Sequence, residues 1–341
     1  MGKGPQLVDI DEKGEEKPSA VQEWLELPNG CICCTAKDNL VMALENLVTR
    51  RDRFDYIFVE TTGMADPGPL AKTLWVDEEL ESSIYLDAIV TLVDAKLIRY
   101  HLHGDTTGLP NDSFQPRKLE AMRQIALADV ILINKVDLVE EQQQQAIKTE
   151  LDNINALAQK YFTHRSRIDL SLLMGIRSFD GNKLHATLSH MDAPTDEHPH
   201  HHGSDDESQH HPHPSPHKSH CDGVNTIVIK HNGDVESTEA VTSWFAELLW
   251  EKKVPVYRIK GEIAIANDER RYIVQGVYDN FEVVPTQYLW SETLPSATMV
   301  VGEKCETPSP PSQRRVTLVL IGVNLDQEEL YTSFYHTCVV K

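Results

Sequence analysis

Short apolar runs recur through the first half of the chain, each closed by polar or turn-forming residues. Residues 54–60 (FDYIFVE) are apolar, β-branched and aromatic, with charges in front and a Thr-Thr-Gly turn behind, which predicts a short buried strand. Residues 86–94 (LDAIVTLVD) and 128–134 (ADVILIN) repeat the pattern. Polar, helix-favouring stretches lie between and after them, over 115–127 and 140–161. Near-continuous apolar strands alternating with helices predict an α/β domain, a parallel sheet with helices on both faces.

The second half reads differently. Residues 224–230 predict a strand and 237–250 an amphipathic helix; strands follow at 256–266, 271–278, 281–290 and 315–322, and a closing helix at 326–336. Strands in succession with two helices predict a smaller α+β domain, the helices on one face of an antiparallel sheet. Residues 305–313, rich in Pro and Ser, are expected to be a surface loop. Between the halves, 198–220 holds nine histidines among Pro, Ser, Asp and Glu and almost nothing apolar. Such a stretch cannot bury enough surface to offset its ordering entropy, and is expected to be a disordered linker. The expected divisions are 1–190, 191–222 and 223–341.

Charge and cysteine content narrow the chemistry. Lys and Arg total 32 against 53 Asp and Glu, a net charge of -21; this repels a phosphate backbone and argues against nucleic acid as a partner. The same acidity suits simple solubility or the handling of cations, and does not choose between them. No apolar run approaches the roughly 20 residues of a membrane span, and the first ten residues show no targeting pattern, so a cytoplasmic protein is expected. Six cysteines, three of them within Cys31-Ile32-Cys33-Cys34, are not spaced as a disulfide framework; a reduced compartment and a metal are expected instead.

Three groups of residues carry candidate chemistry. Asn134-Lys135-Val136-Asp137 follows an apolar strand, where an open α/β sheet places its ligand loops. The Asp137 carboxylate can accept from the N1–H and 2-amino donors of guanine, which adenine cannot supply together; Asn134 can brace the loop and the Lys135 stem can lie over the base. Glu60-Thr61-Thr62-Gly63 ends the earlier predicted strand. An acid at a strand end followed by a glycine whose N–H can face a phosphate suits a magnesium- and hydrolysis-sensing loop, and a capped turn built on Thr61 or Thr62 is the plainer alternative. Cys31, Cys33 and Cys34 supply three soft donors; a fourth ligand completes a tetrahedral zinc or copper(I) site whose open shell lets the metal leave. The imidazoles of 198–220 could buffer metal weakly or simply belong to a linker.

Together, Trp24-Leu-Glu-Leu-Pro-Asn-Gly-Cys-Ile-Cys-Cys-Thr35, Glu60-Thr-Thr-Gly-Met-Ala-Asp-Pro-Gly68 and Asn134-Lys-Val-Asp-Leu138 resemble the CobW family of P-loop GTPases, closest to its zinc-regulated metalloprotein activator branch. The resemblance implies a P-loop NTPase-like domain that takes Zn2+ on Cys31, Cys33 and Cys34, couples GTP and Mg2+ to metal release, and delivers the metal to a client metalloprotein, for this branch a methionine aminopeptidase. It implies Glu60 and Gly63 on the magnesium and phosphate side, Thr61 and Thr62 on the cofactor-binding loop between them, and Asn134, Lys135 and Asp137 on the guanine side. The sequence departs from the family pattern in one respect: nothing in it reads Gly-x-x-x-x-Gly-Lys-Ser/Thr. The expectation is a domain incomplete at its N-terminus, without its first strand, that does not hydrolyse GTP as it stands. A nucleotide-independent metal buffer or adaptor and an inactive fragment are the competing readings.

Overall fold

A computed structural model of the chain describes residues 35–49, 55–61, 63, 65–76, 84–104, 118–180, 188, 223–292 and 313–339. Cys31, Cys33, Cys34, Thr62, the histidine-rich stretch and all but the last residue of the loop expected at 305–313 lie outside these residues. Helices α1 (Thr35–Val48) and α2 (Gly68–Val76) come first. Strands β1 (Val90–Asp94), β2 (Val130–Asn134) and β3 (Gln159–Phe162) then form a parallel sheet in the order β1-β2-β3, with Asp94 opposite Asn134. Parallel neighbours need crossover connections. Helices α3 (Ile98–His103) and α4 (Lys118–Leu127) supply the first, and α5 (Glu141–Ile154) the second.

Burial alternates along β1, whereas every apolar residue of β2 is buried. Val93, Ile131 and Ile133 face Ile125 and Ala126 of α4 and Ile147 and Leu151 of α5 in one core. Each such aliphatic side chain, fully buried, contributes about 1.5–3 kcal/mol. Leu92, between the inward-facing positions, is left 58% exposed.

Two sequence expectations change here. Residues 55–60 are exposed and pair with no strand among the described residues, Tyr56, Ile57, Phe58 and Val59 included. An apolar pattern specifies a preference for burial, but a strand also needs a neighbouring backbone to bond, and the described bonds of β1 go only to β2. The helix expected over 140–161 ends at Ile154, and its last residues are β3. Asn155 ends it: fully buried, it donates from Nδ2 to the carbonyls of Ile125, Ala126 and Ala128, while its Oδ1 accepts from the N–H groups of Leu157 and Ala158.

The second sheet is antiparallel, in the order β4-β8-β5-β6-β7: β4 (Val224–Asn232), β5 (Val256–Ala264), β6 (Arg270–Val277), β7 (Asn280–Leu289) and β8 (Arg315–Val323). Its helices are α6 (Thr238–Ala246), continued by one π turn over Glu247–Glu251, and α7 (Gln327–Cys338). The side chains of Ser237 and Asp326 cap them, accepting from the N–H groups of Ala240 and Glu329. Trp244, Phe245 and Phe334 of these helices cover one face of the sheet over Ile229, Ile259 and Leu320. From the other face Val224, Tyr257, Val277 and Ile321 enter the core around α4 and α5, so both faces are buried.

A buried charge group crosses that junction. Asp129, just before β2, accepts from Lys260 Nζ at 2.8 Å and Arg258 Nη2 at 3.2 Å, both on β5, and its other oxygen accepts from the Ile89 N–H. Arg258 also lies over the Phe179 ring, 4.1 Å from its centroid.

Candidate functional site

The carboxyl ends of β1, β2 and β3 meet at one rim, where an open parallel sheet binds its ligands. Asn134, the last residue of β2, braces this rim with its whole amide. Its Nδ2 donates to Ser166 Oγ at 2.9 Å, and its Oδ1 accepts from the Ser166 N–H at 2.9 Å and from Thr163 Oγ1 at 3.3 Å. This fixes the end of β2 to the turn that follows β3.

Lys135 takes a left-handed φ of 62° and heads the short turn Val136–Leu138. Its Nζ reaches sideways to Asp94 Oδ2 at 2.6 Å, and Asp94 Oδ1 accepts from the N–H groups of Lys96 and Leu97. The Lys135 ammonium thus ties β2 to β1. Beneath the turn, Gln144 of α5 donates from Nε2 to the Val136 carbonyl at 3.0 Å. Asp137 is left half exposed at the tip; among the described residues its one charged neighbour is His164, with Nε2 at 3.5 Å. A half-exposed carboxylate held on a braced turn can take two parallel donors from one planar edge, as guanine offers.

The turn after β3 was missing from the sequence expectations. Thr163 donates its N–H to the Ile133 carbonyl and its own carbonyl accepts from Val136 N–H. Arg165 and Ser166 both have φ of 53°. Consecutive left-handed residues with side chains are costly and are kept where the surroundings over-determine them; here the Asn134 amide does so. The signal available in sequence was a polar Thr-His-Arg-Ser-Arg turn after a strand, but it was hidden while 159–161 read as the end of a helix.

The structure does not bring the two nucleotide-side groups into contact. Glu60 is exposed, with no hydrogen-bond or ion-pair partner among the described residues. Gly63 is exposed in a turn, and its carbonyl accepts a long 3.5 Å bond from Gln124 Nε2 on α4, which also donates to Ala65 O at 2.9 Å. No hydrogen bond or ion pair among the described residues joins residues 60–63 to the Asn134 loop. Among the described residues no three His, Cys, Asp or Glu side chains are grouped to hold a metal ion, and none of their helices is long and apolar enough to cross a membrane.

Comparison with known proteins places these features. Residues 6–162 match the model of the CobW/HypB/UreG nucleotide-binding domain, and residues 224–337 that of the cobalamin synthesis protein cobW C-terminal domain. The chain is 30% identical over 303 residues to zinc-regulated GTPase metalloprotein activator 1 of Saccharomyces cerevisiae, covering 79% of this chain and 64% of that protein. It is 32% identical over 284 residues to the protein of that name in Schizosaccharomyces pombe, covering 81% and 65%. It therefore spans just under two thirds of the length of these two relatives. It is also 27% identical to the zinc chaperone YjiA of Escherichia coli, over 90% of this chain and 80% of YjiA. The crystal structure of Zn(II)-bound YjiA GTPase superposes with a TM-score of 0.58 at 25% identity, covering 88% of this chain and 76% of that one.

Proposed function

The chain belongs to the CobW family, whose nucleotide-binding and C-terminal domains it carries, and on that premise we propose that it is a GTP-dependent zinc metallochaperone that passes metal to client metalloproteins. The observation that carries the nucleotide half is Asp137, held half exposed on a turn braced by Asn134 at the rim of the parallel sheet. A half-exposed carboxylate at that position has the acceptor geometry for guanine. Lys135 ties the turn to Asp94. Glu60, Thr61, Thr62 and Gly63 would serve the Mg2+ and phosphates, and the chemistry supplied there is the stabilisation of charge on the terminal phosphate.

Zinc is the cargo in this reading. Cys31, Cys33 and Cys34 are its donors, three thiolates whose incomplete shell allows transfer rather than permanent storage. The names of the relatives support zinc. A methionine aminopeptidase is the client this reading favours, and the cytoplasm its place of action. The working divisions are a nucleotide domain over 1–190, a linker over 191–222 and a C-terminal domain over 223–341.

A second reading is favoured by one observation, that no Gly-x-x-x-x-Gly-Lys-Ser/Thr run occurs in the 341 residues. In it, the chain binds zinc as a buffer or adaptor without regard to nucleotide. Calorimetric titration of the full chain with zinc and with Mg-GTP, beside a Cys31, Cys33 and Cys34 to Ser variant and Asp137→Ala, separates the two. The proposed function expects zinc binding that the serine variant loses and GTP binding that Asp137→Ala weakens. Zinc binding with no GTP binding leaves the buffer, and binding of neither removes both.

A further inference from the structure

Asp94, the last residue of β1, holds Lys135 across the rim of the parallel sheet. It lies opposite Asn134 in the β1–β2 register, and the Ala95 N–H donates to the Asn134 carbonyl at 2.9 Å, which carries the strand pairing one residue beyond it. The Asp94 carbonyl accepts from the Leu97 N–H at 3.1 Å. Both of its carboxylate oxygens are also in use. Oδ1 accepts from the N–H groups of Lys96 at 2.9 Å and Leu97 at 3.2 Å, and Oδ2 accepts from Lys135 Nζ at 2.6 Å. The carboxylate is thus fixed by its own turn before it meets the lysine.

As a contribution to folding, an exposed ion pair of this kind counts for little. Its placement gives it another use. Lys135 has a φ of 62°, left-handed backbone that is uncommon for a residue with a Cβ. It stands between Asn134, whose amide is committed to Thr163 and Ser166, and Asp137 at the tip of the turn. Exposure along the pair is unequal: the Lys135 side chain is 51% exposed and that of Asp94 23%. The ammonium is held at its far end while the four-carbon stem behind it stays open to a ligand. An apolar strip anchored at both ends therefore lies two residues before the carboxylate proposed for guanine.

We infer that Asp94 is a positioning residue for guanine nucleotide: by anchoring the Lys135 ammonium it sets the stem as a platform for the face of the purine, while Asp137 takes the purine's edge. The inference rests on the guanine-nucleotide reading above. Lysine has as much rotamer freedom as any side chain, and ordering one on binding weakens affinity about 3- to 10-fold. The bond to Asp94 removes that loss before the nucleotide arrives. A platform touches the ring face that all purines share, so it does not choose among bases; that choice belongs to Asp137.

Calorimetric titration of the full chain tests this, with Mg-GTP and with the magnesium complex of inosine triphosphate, whose base lacks the 2-amino group. The variants are Asp94→Asn, Lys135→Met, the two combined, and Asp137→Ala. Asparagine keeps an acceptor for the Lys96 and Leu97 N–H groups and loses the charge that holds the ammonium; methionine keeps an apolar stem and loses the ammonium. Each of these two substitutions should weaken both nucleotides about 3- to 10-fold, and the pair together no more than either alone. The ratio of the two affinities should stay at its wild-type value in all three and narrow only in Asp137→Ala. If Asp94 served only the turn after β1, Asp94→Asn would cost as much in the Lys135→Met background as in wild type, and such additive losses overturn the inference. Wild-type or tighter binding by either single variant, or a ratio that narrows in Asp94→Asn, also overturns it. Lys135→Met leaves the turn bonds of Asp94 in place and decides the matter if Asp94→Asn does not fold: an equal loss for both nucleotides supports the platform, and wild-type binding sinks it. If the wild-type chain binds neither nucleotide, the guanine-nucleotide reading fails and takes this inference with it; if it binds them and the variants match it, only this inference falls.

Discussion

Asn134 and Asp137 sit three residues apart in one motif and do opposite work. Asn134 spends its amide on Thr163 and Ser166, so Asn134→Ala should cost about 1–3 kcal/mol of stability, read in a denaturant melt. Asp137 supports nothing buried, so Asp137→Ala should change stability by less than about 0.5 kcal/mol and yet weaken guanine nucleotide binding about 30- to 100-fold, read by titration. The motif itself was legible in sequence, because it needs only four residue types after an apolar strand. Its partners were not, since Thr163 and Ser166 lie about thirty residues further on. Cys338 shows the same limit in another form. Its sequence neighbours say nothing of its burial, which, with Glu236 nearby, pushes its thiol up to about 12. It should resist alkylation in the native protein at pH 8 and react on unfolding, as mass spectrometry would show.

At the scale of elements, periodicity identified every strand of the C-terminal sheet, both of its helices, and β1 and β2. It failed where one residue overrides the pattern. Residues 155–162 continue a helical composition, but Asn155 takes five hydrogen bonds that only a chain turning out of the helix can offer. In β3 the Lys160 ammonium is buried against the Asn155 and Ala158 carbonyls and Asp152, which composition cannot reveal. The run at 54–60 failed for a different reason: its apolar residues are those of a strand, and its described part, 55–60, pairs with no strand among the described residues. Caps are local and therefore readable. Asp326 accepts from the Glu329 N–H at 2.9 Å, and Asp326→Ala should cost about 1 kcal/mol in a thermal or denaturant melt.

At the scale of the molecule, the two sheets share one core, and the charge group around Asp129 sits within it. Arg258 and Lys260 alternate along β5 with Ile259, and charged positions in such a pattern on an antiparallel sheet commonly face solvent. They are instead buried against the nucleotide domain, and Asp129 makes that possible. Burial alone would raise the Asp129 carboxyl, but Lys260 and Arg258, with the Ile89 N–H, more than offset it and hold it below the usual carboxylate range. A carboxylate whose folded value lies below its unfolded one, about 3.9, stabilises fully above that pH and loses its contribution as pH falls through the folded value. The junction should therefore hold from neutral pH down to about pH 5 and weaken in stronger acid. Asp129→Ala strands two buried cations and should cost about 3–5 kcal/mol, read in a denaturant melt followed at far-UV and at tryptophan wavelengths. In the function proposed above, zinc binding answers to the guanine nucleotide held at the rim of the parallel sheet. The most direct test of that account is the zinc affinity of the full chain, measured by competition with a chelating dye in saturating Mg-GTP and again in saturating Mg-GDP. A GTP-dependent metallochaperone predicts affinities at least about 5-fold apart, the low end of usual coupling between sites; equal affinities with both nucleotides bound would contradict it.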